Sequence, residues 1–382
     1  MSILELFLLQ IKIVLLFGGL TIVVLSLTWL ERRVLGKIQR RIGPNRVGPQ
    51  GLLQPIADAI KLVTKEDIIP ESADKLIYWL APIVVFVPPF VIWVTIPIAS
   101  NTTASNTTTL AVNNMHLGLL FVIALTVISI TGLVMAGWGS ANKYAILGGL
   151  RSTAQLISYE IPLIMVAISV LILCQTTDLK EIVDKQNIIP YALYLPLGLL
   201  LFFIAGIAEV GRVPFDIYHA ESEIVGGPFV EYSGAHWSVF YLAEYIQTFT
   251  IAVLTTLLFL GGWHIPFISL EENIVLGFFI TIIKAYAVVM IIFWFRGTFP
   301  RMRIDQLMAF AWKILIPLSF ANVVISSGII FYDIPLIVLS IINILITLAI
   351  GYVLYNKFTT PAKIDAEEML RKARNYKLPE GI

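Results

Sequence analysis

The chain has 382 residues, of which 58% are hydrophobic and only 13% charged, and its mean hydropathy is +0.87. A chain this apolar cannot cover its surface with polar groups, which excludes a soluble globule and makes a bilayer its natural solvent. The net charge of +1 gives no pull toward nucleic acid. Cys174 is the only cysteine, so this chain alone holds neither an internal disulfide nor a cysteine-ligated iron–sulfur cluster. The histidines His116, His219, His236 and His264 are scattered without metal-ligand spacing. The chain is therefore expected to bind no cofactor, and any electron carrier is expected on another subunit.

Apolar runs of roughly 20 residues predict nine spans, at 6–30, 77–98, 117–138, 155–174, 190–209, 238–260, 273–295, 312–332 and 335–356. The expected fold is an all-α polytopic membrane helix bundle, a single integral membrane domain over 1–382, with 335–356 an extra C-terminal span. The last two spans are separated by little more than Tyr332–Pro335, a tight helical hairpin. The first run lacks a basic region before it and is followed by Arg32 and Arg33, so it reads as a retained span with its N-terminus outside. From that start, inner segments collect Arg32, Arg33, Lys37, Arg40, Arg41, Arg46, Arg296, Arg301 and Arg303, whereas outer loops carry only Lys180 and Lys185. This bias orients the chain, with the polar tail 357–382 on the cytoplasmic side. Asn101 and Asn106 each begin an Asn-Thr-Thr sequon, read as a polar solvated loop on the outer side.

The first inner segment, 31–75, is too long for a simple connection. Within 51–66, Leu52, Leu53, Ile56, Ile60 and Val63 share one helical face, and Gln54, Asp58, Lys61 and Lys65 the other. That pattern predicts an amphipathic helix at the membrane surface, set at its angle by the turns Gly43-Pro44-Asn45 and Gly48-Pro49. A soluble-facing helix packed on a partner would show the same pattern.

The second inner segment, 209–237, sets Glu209, Asp216, Glu221, Glu223 and Glu231 against Arg212 alone. A solvated acidic loop is the simplest reading. Interleaving with Phe215, Ile217, Ile224, Phe229 and Tyr232 favours a loop packed into the protein. Clustered carboxylates at low dielectric repel and retain protons near neutrality, as a proton relay requires. Ionisable residues also fall in or at the ends of spans: Glu160, Glu209, Glu244 and Lys284. Each costs at least ~2.5 kcal/mol at the bilayer centre unless it faces the bundle interior or a hydrated cavity. A proton path explains them together; a structural pair such as Glu244 with Lys284 is the alternative. The third inner loop, from Arg296 to Gln306, is a compact basic turn that sets topology or docks an acidic partner.

Taken together, ERRVLGKIQRRIGPNRVGPQGLLQPIADAIKLVTKE, AQLISYEIP, AEVGRVPFD, AESE, VEYSG and RGTFPRMRIDQLMAFAWK resemble the subunit 1 family (the H-type membrane subunits) of proton-translocating NADH:quinone oxidoreductases, respiratory complex I. The resemblance covers about residues 25–318. It implies a subunit that anchors the peripheral arm and forms most of the channel by which quinone leaves the bilayer to be reduced. Quinone is then the substrate, with FMN and iron–sulfur clusters on partner subunits. Expected partners are the peripheral iron–sulfur and quinone-site subunits, small membrane subunits, antiporter-like pumping subunits and lipid. By resemblance Glu31, Arg32, Arg41, Asp58 and Phe215 line the quinone channel. Glu160, Glu209, Asp216, Glu221, Glu223 and Glu244 match the family's carboxylate path, and Lys284 a basic position of the seventh span.

After Pro-Phe-Asp the family usually continues with a hydrophobic residue, Pro and Glu; here Ile217-Tyr218-His219 stand instead. A histidine can still relay protons, so His219 is expected on the path, but its charged form is a cation. The Gly-Gly-Pro-Phe run at 226–229 is a second departure. Three other readings remain: the related membrane subunit of an energy-converting hydrogenase, a stand-alone transporter and a purely structural anchor. The length of the first and last motifs disfavours the first, and the absence of an internal repeat the second.

Overall fold

The computed structural model describes residues 3–103, 106–187, 189–217, 225–265 and 273–359. The helices are α1 (Ile3–Ile38), α2 (Gln54–Thr64), α3 (Lys75–Ile92), α4 (Gly118–Gly139), α5 (Lys143–Cys174), α6 (Leu179–Asp184) and α7 (Tyr191–Tyr194). They continue as α8 (Pro196–Glu209), α9 (Gly234–Phe259), α10 (Ile274–Thr298), α11 (Ile304–Phe310), α12 (Ile316–Phe331) and α13 (Leu336–Thr359). Among the described residues seven helical stretches are long and apolar enough to cross a membrane, counting Ile304–Phe331 as one, and Pro196–Glu209 and Leu336–Tyr352 are shorter apolar helices. They stand where the nine spans are predicted.

Several boundaries differ from the hydropathy reading, for local reasons. The helix α1 runs on past the apolar stretch through Glu31–Ile38, because Arg, Lys, Glu and Leu are good helix formers, enough to carry the helix past Gly36, and no proline precedes Pro44. The helix α5 begins at Lys143 rather than near 155, with Asn142 as its cap: the Asn142 side chain accepts from Tyr144 N at 2.9 Å. The fifth span is broken at Leu195, since Pro196 cannot donate a backbone hydrogen bond and opens α8 instead. Between α11 and α12, Ala311–Leu315 form a π-helical turn. Between α3 and α4 lies a short antiparallel hairpin, β1 (Ser100–Thr103) and β2 (Asn106–Thr109).

The helix α5 is packed between α4, α8 and α12, while α9 packs on α3 and α10 and is the most enclosed of the long spans. Small residues allow these approaches: a Cβ on Gly149 would lie 3.3 Å from Gly137 Cα of α4. The helix α13 lies against α7, α8 and α12. The helix α2 packs on α1 and α9 and turns its apolar face outward, leaving Ile56, Ile60 and Val63 exposed.

Candidate functional site

The C-terminal part of α1 carries Glu31, which is only 3% exposed. A buried carboxylate needs partners, and other elements supply them. Tyr245 of α9 donates its hydroxyl to Glu31 Oε2 at 2.6 Å, and Arg296 of α10 bonds Glu31 Oε1. Arg212, which follows α8, places Nη1 3.8 Å from Glu31 Oε2 and lies over the Tyr245 ring, 4.3 Å from its centroid. The hydroxyls of Tyr241 and Tyr245, one helical turn apart, are 2.9 Å from each other. Two guanidinium groups and one phenol thus converge on one carboxylate, with a second phenol behind the first.

The neighbouring polar groups tie α2 to α1. Arg32 bonds Asp58, which also accepts from Gln54 at 3.2 Å. Arg33 donates to Gln50 at 2.8 Å and stacks its guanidinium 5.1 Å from the Trp29 ring. Arg41 stands apart in the exposed turn after α1 and bonds Gln39 at 2.7 Å. Phe215 lies in a different wall, three residues after Arg212, with Phe310 stacked at 6.3 Å and Tyr159 at 5.4 Å.

A chain reversal at the end of α8 brings Arg212 back into the core. Gly211, at φ +66, donates to Ala208 O, and Arg212 N donates to Ile207 O. This is a Schellman stop, which needs a left-handed residue at the position glycine holds. The buried Gln155 of α5 donates from Nε2 to Ala208 O at 2.8 Å and to Phe215 O at 2.7 Å. Beyond it, Arg301 pairs with Asp216 at 2.8 Å and Met302 N donates to Pro214 O.

Three of the carboxylates assigned to the path lie in the bundle. The Thr126 hydroxyl is 3.2 Å from Glu160 Oε1 and 2.8 Å from Ile123 O, with one hydrogen to share. Glu209 accepts from Gln247 at 3.2 Å, and its Oε2 is buried with no hydrogen-bond partner among the described residues. Glu209 also lines two small cavities. One, of about 30 Å³, is shared with Ser129, Glu244 and Gln247 and has room for water; the other, of about 10 Å³, is shared with Thr126 and is at the lower limit for one. Lys284 is engaged elsewhere: Nζ donates to Leu260 O, Gly262 O and His264 O at 2.7, 2.9 and 2.6 Å. Those carbonyls follow the C-terminal end of α9, about 24 Å along the helix from Glu244 at 1.5 Å per residue. No bond between Glu244 and Lys284 is part of this arrangement. His219, Glu221 and Glu223 lie outside the described residues. Just after them, Tyr232 is buried, which pushes its phenol above the ordinary value and keeps it a donor, to Tyr78 O at 3.2 Å.

Sequence reasoning did not find Tyr241, Tyr245, Gln155 or the pairings of Arg296 and Arg301. A Tyr-x-x-x-Tyr spacing on a span, next to a span ending in Arg, is the one local signal that pointed to them.

The profile of the NADH dehydrogenase family matches residues 11–327. Among curated relatives, the H subunit of NADH-quinone oxidoreductase from Dehalococcoides mccartyi (strain CBDB1) is 46% identical over 319 residues, 84% of this chain and 86% of the relative. The corresponding H 2 subunit of Rhizobium meliloti (strain 1021) is 44% identical over 84% of this chain and 96% of its own length. The H subunit from Geobacillus thermodenitrificans (strain NG80-2) is 47% identical over 78% and 86%. With its membrane-spanning helices, its buried ionisable cluster and this kinship along most of its length, the chain belongs to the family of NADH-quinone oxidoreductase H subunits.

Proposed function

We propose that this subunit forms the quinone access channel and part of the quinone-reduction chamber of a proton-translocating NADH:quinone oxidoreductase in the cell membrane. Its N-terminus is outside and its tail cytoplasmic. Reducing a quinone to a quinol takes two electrons and two protons. The electrons come from an iron–sulfur cluster of a partner subunit, fed by FMN on another. This chain's residues bind, orient and supply protons. A quinone offers only acceptor oxygens, so a chamber needs donors. Arg212 supplies guanidinium hydrogens, with Glu31 balancing their charge, while Tyr245 gives its own hydrogen to Glu31 and is backed by Tyr241. The inner surface, with Arg41 and the Arg301–Arg303 turn, docks the peripheral arm.

Proton coupling runs through Glu160, Thr126, Glu209, Gln247 and Glu244 toward antiporter-like partners. One observation carries this reading: Glu209 lines both cavities and stands three residues before Arg212, the partner of Glu31. A change of charge in the chamber is therefore felt at the path through one short stretch of chain. The test is Glu209→Gln in the assembled complex, in proteoliposomes, with NADH and quinone. Proton-coupled quinone reduction should fall with assembly intact; full activity and full pumping would overturn the proposal.

A further inference from the structure

We propose that Gln155 is a positioning residue for coupling: its single amide nitrogen holds both ends of the turn between Glu209 and Asp216, so that the quinone-side wall and the carboxylate path move as one body. This rests on the carboxylate-path reading above.

The two carbonyls that Gln155 engages, Ala208 O and Phe215 O, are seven residues apart in sequence. Each belongs to the residue immediately before a carboxylate, Glu209 in one case and Asp216 in the other. An amide nitrogen has two hydrogens in one plane, and both are used, which fixes the span between the two carbonyls. Between them lies Arg212, the partner of Glu31, and beyond them Asp216 is held by Arg301. Gln155 itself is fully buried on α5, five residues before Glu160. One side chain therefore touches the backbone on which the chamber residue Phe215 and the path residue Glu209 are both carried.

The acceptor half of the same side chain is unusual. Gln155 Oε1 is buried with no hydrogen-bond partner among the described residues. An unmatched buried acceptor is unfavourable. The side chain is thus not the least costly way to fill this space, and what it uniquely supplies is the paired donor.

The test uses the complete complex in proteoliposomes, comparing wild type with Gln155→Met, which fills similar space without a donor, and Gln155→Glu, which donates at most one hydrogen and none when ionised. In Gln155→Met the number of protons pumped per quinone reduced should fall at least twofold, by a larger factor than the change in KM for quinone. In Gln155→Glu the ratio should be higher at acidic than at alkaline pH, a profile a filler role would not give. If Gln155 acts through Glu209, the double variant with Glu209→Gln should pump no worse than Glu209→Gln alone. An unchanged ratio in Gln155→Met, additive losses, or a loss that only tracks the amount of assembled complex would overturn the proposal. Should Gln155→Met fail to assemble, a flat pH profile in Gln155→Glu would overturn it. If Glu209→Gln alone leaves the ratio intact, the path itself falls; if it lowers the ratio and Gln155→Met does not, only the positioning role falls.

Discussion

Tyr245 and Glu31, 214 positions apart in the chain, share a hydrogen bond of 2.6 Å that joins the most enclosed span to the C-terminal part of the first. The bond leaves Tyr245 with its ring under Arg212 and its oxygen against Tyr241. Removing the hydroxyl in Tyr245→Phe takes one donor from a buried carboxylate. Hydrogen bonds to charged groups contribute about 1.5–3 kcal/mol, so losing this one should loosen the Glu31 cluster, and on the proposed function the KM for quinone should rise severalfold in the assembled complex. Steady-state titration with a short-chain quinone measures it; an unchanged KM and rate would remove Tyr245 from the chamber.

The Arg32–Asp58 pair lies at the surface, with side chains 45% and 24% exposed. Exposed pairs contribute about 0–1 kcal/mol. Asp58→Asn should therefore leave the assembled fraction on a native gel unchanged. A fall in quinone reduction in that variant would mark a binding role, whereas a fall in assembly would show that the pair is structural.

Gly148 faces the turn at Gly227, and a Cβ on it would lie 2.5 Å from Gly227 Cα, closer than any side chain tolerates. In Gly148→Ala the backbone has to move, at a cost of about 1–3 kcal/mol. The expected result is a lower thermal midpoint for dissociation of the complex, with a larger drop for Gly148→Val. Equal midpoints in both variants would show that the turn yields freely.

Lys284 presents three hydrogens to three carbonyls beyond α9. Lys284→Met leaves those acceptors without their donor, so the assembled amount should fall severalfold, and Lys284→Arg should restore part of it. Loss of pumping at full assembly would instead return Lys284 to the proton path.

The spans, the amphipathic helix α2 and the buried carboxylates were legible because hydropathy and charge are local properties of a sequence. The partners were not. Nothing near Glu31 in the chain announces Tyr245, Arg212 or Arg296, because each arrives on a different element. The Gly-Gly-Pro-Phe run at 226–229 reads only as a departure from pattern until Gly148 is seen pressed against Gly227. Gln155 looked like one more letter of a motif, and only its two distant acceptors give it a role. The broken fifth span was visible as Pro196 but was outweighed by the apolar residues around it.

The orientation of α2 has a consequence for the membrane itself. Its apolar side looks away from the protein, and its polar side is tethered to α1 through Asp58 and Arg32. On the proposed function, with that face in the headgroup boundary, the helix would take its depth from the lipid. A shift in bilayer thickness would then reach α1 at Arg32, the residue after Glu31, through the Arg32–Asp58 tether.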